Sequence, residues 1–291
     1  MKLYTYQIHD DGVDRVGVET AEQPGLLWPV EGFATMNDLI RSTFPTQLAR
    51  LADTAQTGQP LHLTSVRLRA PIPYPAQDVI CLGINYADHA VESARFHKDA
   101  FLVDRKKATY FGKRVYEATG SGDPIPAYEG LVDSLDYEAE LGVVIGRDAK
   151  NVPESEAAAY VFGYTVINDV SARNLQTAHN QWYFGKSLDG FTPMGPCIVT
   201  ADEIAFPPAL AISSRVCGEA RQHSNTDHLL HGVAEIIAEL SQGMTLRAGT
   251  VIATGTPSGV GMGFVPPKFL HRGDTVECEI EGIGKLVNTV E

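Results

Sequence analysis

The stretch DYEAELGVVIG, residues 136–146, sets Asp136, Glu138 and Glu140 at alternate positions and then runs into apolar residues. Val143, Val144 and Ile145 are β-branched and favour extended backbone. Side chains in a strand alternate faces, so this phase puts the three carboxylates on one side and Tyr137, Ala139 and Leu141 on the other. Like charges on one face repel unless water or a cation screens them. Two readings follow: a solvated strand edge, or an all-oxygen metal site. A further acidic residue, Asp169, ends a second strand-like run, FGYTVIND, residues 162–169. Glu-x-Glu from one strand and Asp from another would make a three-carboxylate site suited to Mg²⁺ or Mn²⁺.

Around this stretch, a chain of 291 residues accommodates one large domain, or a small domain followed by a larger one. Its 44% hydrophobic and 20% charged residues are ordinary for a globular protein, and 27 glycines with 17 prolines favour strands and turns over a helical bundle. No apolar run approaches the roughly 18 residues of a membrane span. The opening MKLYTYQIHDDG lacks the apolar core of a secretory signal and turns acidic at once, so the expected location is cytoplasmic, with a mitochondrial one left open. A formal charge of −13 argues against nucleic acid, whose phosphates need a concentrated basic surface. Cys81, Cys197, Cys217 and Cys278 form no CxxC pair and are expected to be buried, reduced thiols.

The first 75 residues are expected to form a small N-terminal domain. It holds the strand-like runs LYTYQI and VDRVGVET, a helical stretch TMNDLIRSTFPTQLARLADTA and a strand LHLTSVRLRA. Pro71, Pro73 and Pro75 then impose an extended connector, which places the boundary near residue 75. In the larger part, 76–291, residues 86–96 predict a short helix, and PESEAAAYVFGYTVINDV predicts a helix passing into a strand. TDHLLHGVAEIIAELSQG predicts an amphipathic helix capped by Asn225 or Thr226 and ended by Gly243. GDTVECEIEGIGKLVNTV alternates with period two, a closing hairpin.

Three further segments carry polar chemistry. In CLGINYADHAVES, a helix would set His89 and Glu92 side by side. A carboxylate beside an imidazole fixes its tautomer and raises its basicity, as a general base requires; a chance surface pair is the competing reading. NDVSARNLQTAHNQWYFGKSLDGFTPMGP, residues 168–196, carries Arg173, Gln176 and Lys186 with few apolar residues between them to make a core face. ATGTPSGVGMGF, residues 253–264, is neither a nucleophile elbow nor a Walker loop. It reads as a glycine-rich turn whose N–H groups, with Thr256 and Ser258, would hold a carboxylate. His223, His228 and His231 read as helix surface, because no third ligand is near enough for zinc. Trp28 and Trp182 fit either core or pocket.

Taken together, GINYADHAVE, DYEAELGVVIG, GYTVINDVSARNLQ, GKSLDGFTPMGP and ATGTPSGVG resemble, in order and spacing, the fumarylacetoacetate hydrolase family. The likeness spans residues 80–291 and is strongest to the branch of acylpyruvate hydrolases, oxaloacetate decarboxylases and oxaloacetate tautomerases. The resemblance implies that Glu138, Glu140 and Asp169 hold Mg²⁺ or Mn²⁺. It implies that His89 and Glu92 are a catalytic pair on a lid over about 85–122, and that Lys186 stabilises developing negative charge. Arg173, Gln176 and Thr256 fall on substrate-pocket positions, and Lys113 on a position near the lid. After Lys113 the pattern lapses: RVYEATGSGDP stands where the family has Pro-Ser, so that part of the pocket wall is this chain's own.

The fold so implied is α+β and strand-dominated: a rolled, barrel-like mixed β-structure with short flanking helices behind a small N-terminal domain, commonly a homodimer. The function implied is a divalent-metal-dependent enzyme on small keto-carboxylates, foremost C–C hydrolysis of an acylpyruvate or fumarylacetoacetate-type substrate through an enolate. Oxaloacetate decarboxylation or keto–enol tautomerisation at the same site is the alternative. A non-catalytic metabolite-binding protein and a purely structural subunit stand further off, since the ligand set and the base are both present.

Overall fold

The computed structural model describes residues 1–8, 11–43, 48–96 and 107–291. Its centre is the strand Ala139–Ile145, buried along its whole length. Leu141, Val143 and Ile145 enter one apolar cluster while Val144 enters another on the opposite side. Alternation has thus built a strand covered on both faces, and each fully buried Val, Leu or Ile contributes about 2 kcal/mol.

This strand lies inside an eleven-stranded sheet. On one side it pairs antiparallel with Val161–Asn168, which pairs with Met194–Thr200, which in turn pairs with Lys2–Gln7. On the other side come Val251–Ala253, then Val79–Gly83 in the parallel sense, then Thr109–Lys113. The leading 75 residues supply five strands, Lys2–Gln7 and four that prolong the sheet beyond it. A separate four-stranded antiparallel sheet ends in the hairpin Thr275–Ile280 and Gly284–Thr289, as the period-two tail predicts. The α-helices are short and peripheral, Val233–Gly243 being eleven residues long. The architecture is the strand-dominated α+β one expected. Among the described residues, no helix is long and apolar enough to cross a membrane.

Several local expectations give way to tertiary contacts. LHLTSVRLRA is not one strand: a 3₁₀ turn, Leu63–Ser65, interrupts it, where the Ser65 hydroxyl donates to the His62 carbonyl at 2.7 Å. The leading helical stretch becomes Met36–Ser42 and Leu48–Ala55, with 44–47 outside the described residues. The amphipathic helix begins at Val233, and Asn225 caps only the 3₁₀ turn Thr226–His228. Asn85 is the cause: its carbonyl accepts from Leu230 N–H and its side-chain oxygen from His231 N–H, drawing 229–231 out of a helical path. Cys217 is exposed rather than buried, because it turns a tight hairpin at φ 49°. The other three cysteines are buried and free. Of the expected lid, residues 97–106 lie outside the described residues.

Candidate active site

Antiparallel pairing of Ala139–Ile145 with Val161–Asn168 brings the ends of the two strands together. Asp169 N–H donates to the Glu138 carbonyl, and Glu138 N–H donates to the Asn168 side chain, each at 2.9 Å. Glu138, Glu140 and Asp169 each thereby present a carboxylate oxygen within 4.8 Å of the others, and all three residues are buried. Asp136 departs from the expected shared face. The ladder stops between Leu135–Asp136 and Ala139–Ile145, so Asp136 turns behind the centre and pairs with Arg173 Nε at 2.9 Å.

Three cations balance these acids. Lys186 Nζ donates to Glu138 and Asp169, 2.7 Å each. Lys113 Nζ donates to the other oxygen of Asp169 at 2.6 Å and to the Val170 carbonyl at 2.9 Å. Arg173 Nη1 donates to Gln176 at 3.0 Å, and its Nη2 lies 2.7 Å from Glu138. Burial opposes charge on every member, and the neighbours decide the outcome. Burial would raise Glu138, but Lys186 and Arg173 outweigh it and hold the carboxyl well below its usual range. For Glu140, burial and the like charges of Asp169 and Glu138 act together, pushing it well above the ordinary value. Burial also lowers the Lys113 ammonium, helped by Lys186 and only partly offset by Asp169.

The donor chemistry fits a hard divalent cation. The three converging groups are all carboxylates, and Glu140 is driven toward protonation by two acidic neighbours that a cation would neutralise. Counting Asp136, four carboxylates face three cationic side chains in this centre. A divalent ion would therefore leave the centre with a formal charge of about +1, complementary to an anionic substrate. Nη2 of Arg173 is buried beside that centre, its ion pair to Glu138 drawing the guanidinium against the carboxylates.

His89 rides on the helix Ala87–Phe96. Its Nδ1 meets Glu92 at 3.0 Å and its Nε2 meets the Ser93 hydroxyl at 3.3 Å, so both ring nitrogens are engaged. The glycine-rich segment does bind carboxylates, but they are the protein's own. Gly255 N–H donates to Glu140 and Gly259 N–H to Glu92, each at 2.9 Å, while Gly261 and Met262 N–H reach Asp136 at 2.6 and 3.0 Å. Ser258 donates to Asp88 at 2.6 Å, and Thr256 donates to the Ala139 carbonyl at 2.8 Å.

A small pocket opens over this centre, lined by His89, Glu138, Glu140, Arg173, Gln176, Lys186 and Thr256. Its apolar wall is Leu82, Ile84, Phe111 and Trp182, the two rings meeting edge to face at 5.4 Å. Lys113, Glu92 and Asp169 stand behind the lining, Lys113 as a buried partner of Asp169.

With this geometry in view, the model of the fumarylacetoacetate hydrolase C-terminal family matches residues 78–291. The chain belongs to the fumarylacetoacetate hydrolase family. It is 45% identical over 228 residues, 78% of this chain and 74% of the relative, to oxaloacetate tautomerase YisK of Bacillus subtilis. Among solved structures it resembles a fumarylacetoacetate hydrolase from Exiguobacterium antarcticum, with a TM-score of 0.83, 40% identity and coverage of 100% and 99%. It also resembles maleylpyruvate hydrolase from Sphingobium in complex with manganese(II) and pyruvate, at TM-score 0.78 and 26% identity, covering 100% and 98%. These relatives are enzymes, and so is the family this chain joins.

Sequence reasoning passed over several residues of this family site. Gln222 is buried and ties Ala139 N–H, Thr256 and the Pro257 carbonyl together. Its neighbours ARQHSN gave no signal, because its importance lies in long-range pairing. Asp88 and Ser93 were visible only as helix neighbours of His89, and their spacing from it (one and four residues) was the available clue. Trp182, open between core and pocket, proves to be pocket wall.

Proposed function

We propose that this protein is a divalent-metal-dependent enzyme that enolises a small α-keto dicarboxylate, oxaloacetate being the model substrate, as a tautomerase or decarboxylase. The observation that carries this reading is the convergence of three buried carboxylates, two of which, Glu138 and Glu140, line one small cavity with Lys186 and Arg173. The likeness to an oxaloacetate tautomerase supports it.

Glu138, Glu140 and Asp169 would hold Mg²⁺ or Mn²⁺, which supplies Lewis-acid polarisation of a keto oxygen when bound. Lys186 sets a second positive charge where negative charge develops. Arg173 and Gln176, side by side in the cavity lining, receive a substrate carboxylate, and Thr256 closes the floor beside Glu140. His89, oriented by Glu92, moves the proton at carbon. Lys113 holds Asp169 in place rather than touching substrate. The described part of residues 1–75 lengthens the sheet and contributes no residue to the cavity wall.

C–C hydrolysis of an acylpyruvate is the second reading, favoured by the His89–Glu92 pair and by the likeness to two hydrolases. Either reading requires Ser93 to release Nε2. The test is a panel of oxaloacetate and acylpyruvates with Mn²⁺, following enol absorbance, CO₂ and pyruvate together. Enol loss or CO₂ release from oxaloacetate supports the first reading. Faster cleavage of acylpyruvates supports the second, and no turnover of any keto acid sinks both.

A further inference from the structure

We infer that Ser258, Gly259 and Gly263 form a seat that fixes the helix Ala87–Phe96, and through Glu92 aims His89; Gly263 and Ser258 are positioning residues. This rests on the proposed role of the His89–Glu92 pair.

Three contacts define the seat. The Ser258 hydroxyl donates to Asp88 at 2.6 Å, and Gly259 N–H donates to Glu92 Oε1 at 2.9 Å. Asp88 and Glu92 are four apart and share one helix face. Gly263 supplies the third: a methyl group built on its Cα would lie 1.8 Å from Glu92 Oε1, so the carboxylate occupies the space of the missing side chain. Beneath them Ile84 and Ala90 pack with Val260 and Met262 in an apolar cluster separate from the two large cores.

The two oxygens of Glu92 divide the labour. Oε1 is held by the seat, and Oε2 meets His89 Nδ1 at 3.0 Å. Moving the carboxylate off Gly263 therefore moves the partner that orients the imidazole. The pivot of the helix is fixed independently. Ile84 is held at φ 57°, a left-handed conformation costly for a β-branched residue. Asn85 pins that conformation by donating to the carbonyls of Thr254 and His231. With the pivot pinned, the seat decides how the far turn of the helix lies.

Gly263 offers a clean test, because its φ is not positive and the three atoms nearest to an added methyl all belong to the flexible Glu92 side chain. Gly263→Ala should leave the fold intact and displace Glu92. The full-length protein with Mn²⁺ is read by hydrogen exchange, by calorimetry and by oxaloacetate turnover. Amides of 87–96 should exchange faster, those of 139–145 should not change, and Mn²⁺ affinity should stay as in the wild type. A misplaced base should lower kcat on the order of a hundredfold with KM little moved. Ser258→Ala should show the same pattern more weakly. Unchanged exchange over 87–96 in Gly263→Ala overturns the proposal, as does a parallel loss of Mn²⁺ affinity, which would place the effect in the carboxylate centre. An inactive wild type would defeat the functional reading alone, since the exchange measurement judges the seat without turnover.

Discussion

Glu140 and His89 face the same cavity, yet they are held in different ways. Glu140 belongs to a strand hydrogen-bonded to neighbours on both sides and covered by apolar clusters on both faces. His89 sits on a ten-residue helix that meets the glycine-rich segment through two acidic side chains and a small apolar cluster. The carboxylate centre is thus fixed by the sheet, while the base is fixed by contacts that a single methyl group would disturb. Metal binding and proton transfer should therefore be separable by mutation, although their residues touch the same small pocket.

The largest expected effect is on the sheet side. Glu138→Ala removes a ligand and strands Lys186 and Arg173, so Mn²⁺ binding should vanish and turnover fall at least about a thousandfold. Activity persisting in chelated buffer would break the comparison at its root. On the helix side, His89→Ala should cost about 10²- to 10⁴-fold in rate while Mn²⁺ affinity stays constant. If both fell together, the two regions would be one unit.

Lys113→Met sharpens the comparison from behind the centre. It leaves Asp169 short of a buried partner and should destabilise the metal-free fold by about 3 kcal/mol, measured by urea unfolding. Mn²⁺ should recover part of that loss, because a cation answers the same charge. No change in the unfolding midpoint would mean that Lys113 has little part in holding Asp169.

The titration of Glu140 gives a smaller effect of definite sign. Its carboxyl is raised well above the ordinary value by burial and by Asp169 and Glu138. The metal-free fold therefore keeps this proton where the unfolded chain has lost it. That stabilising contribution is present in acid and is lost as pH rises through the raised value. Metal requires the deprotonated form, so the rise in Tm caused by Mn²⁺ should grow as pH climbs above the ordinary carboxylate range. A rise independent of pH would remove Glu140 from the ligand set. Smallest of all, Ser93→Ala frees His89 Nε2 for the loss of one long hydrogen bond. It should raise turnover of oxaloacetate or acylpyruvate by about fivefold or less; unchanged rates would show that Ser93 does not govern access to that nitrogen.

The sequence made the carboxylate centre legible because its period-two spacing was written into a run of β-branched residues. Strand alternation then needed only one antiparallel partner, Val161–Asn168, to bring Asp169 alongside. It misled at Asp136, since spacing alone does not reveal where a ladder stops. The His89–Glu92 pair was legible from helical spacing, but its seat was not. Gly259 and Gly263 lie about 170 residues downstream, and a glycine chosen for the absence of a side chain leaves no positive mark of what fills the space. The start of the helix Val233–Gly243 was obscured for the same reason, its first turns being drawn away by distant Asn85.

Calorimetric titration of the metal-stripped protein with Mn²⁺, run beside Glu140→Gln, tests most directly whether these acids form one cation site. A single binding event per wild-type chain that disappears in the variant is the predicted result. Equal affinity in both proteins, or no binding to the wild type, would contradict it.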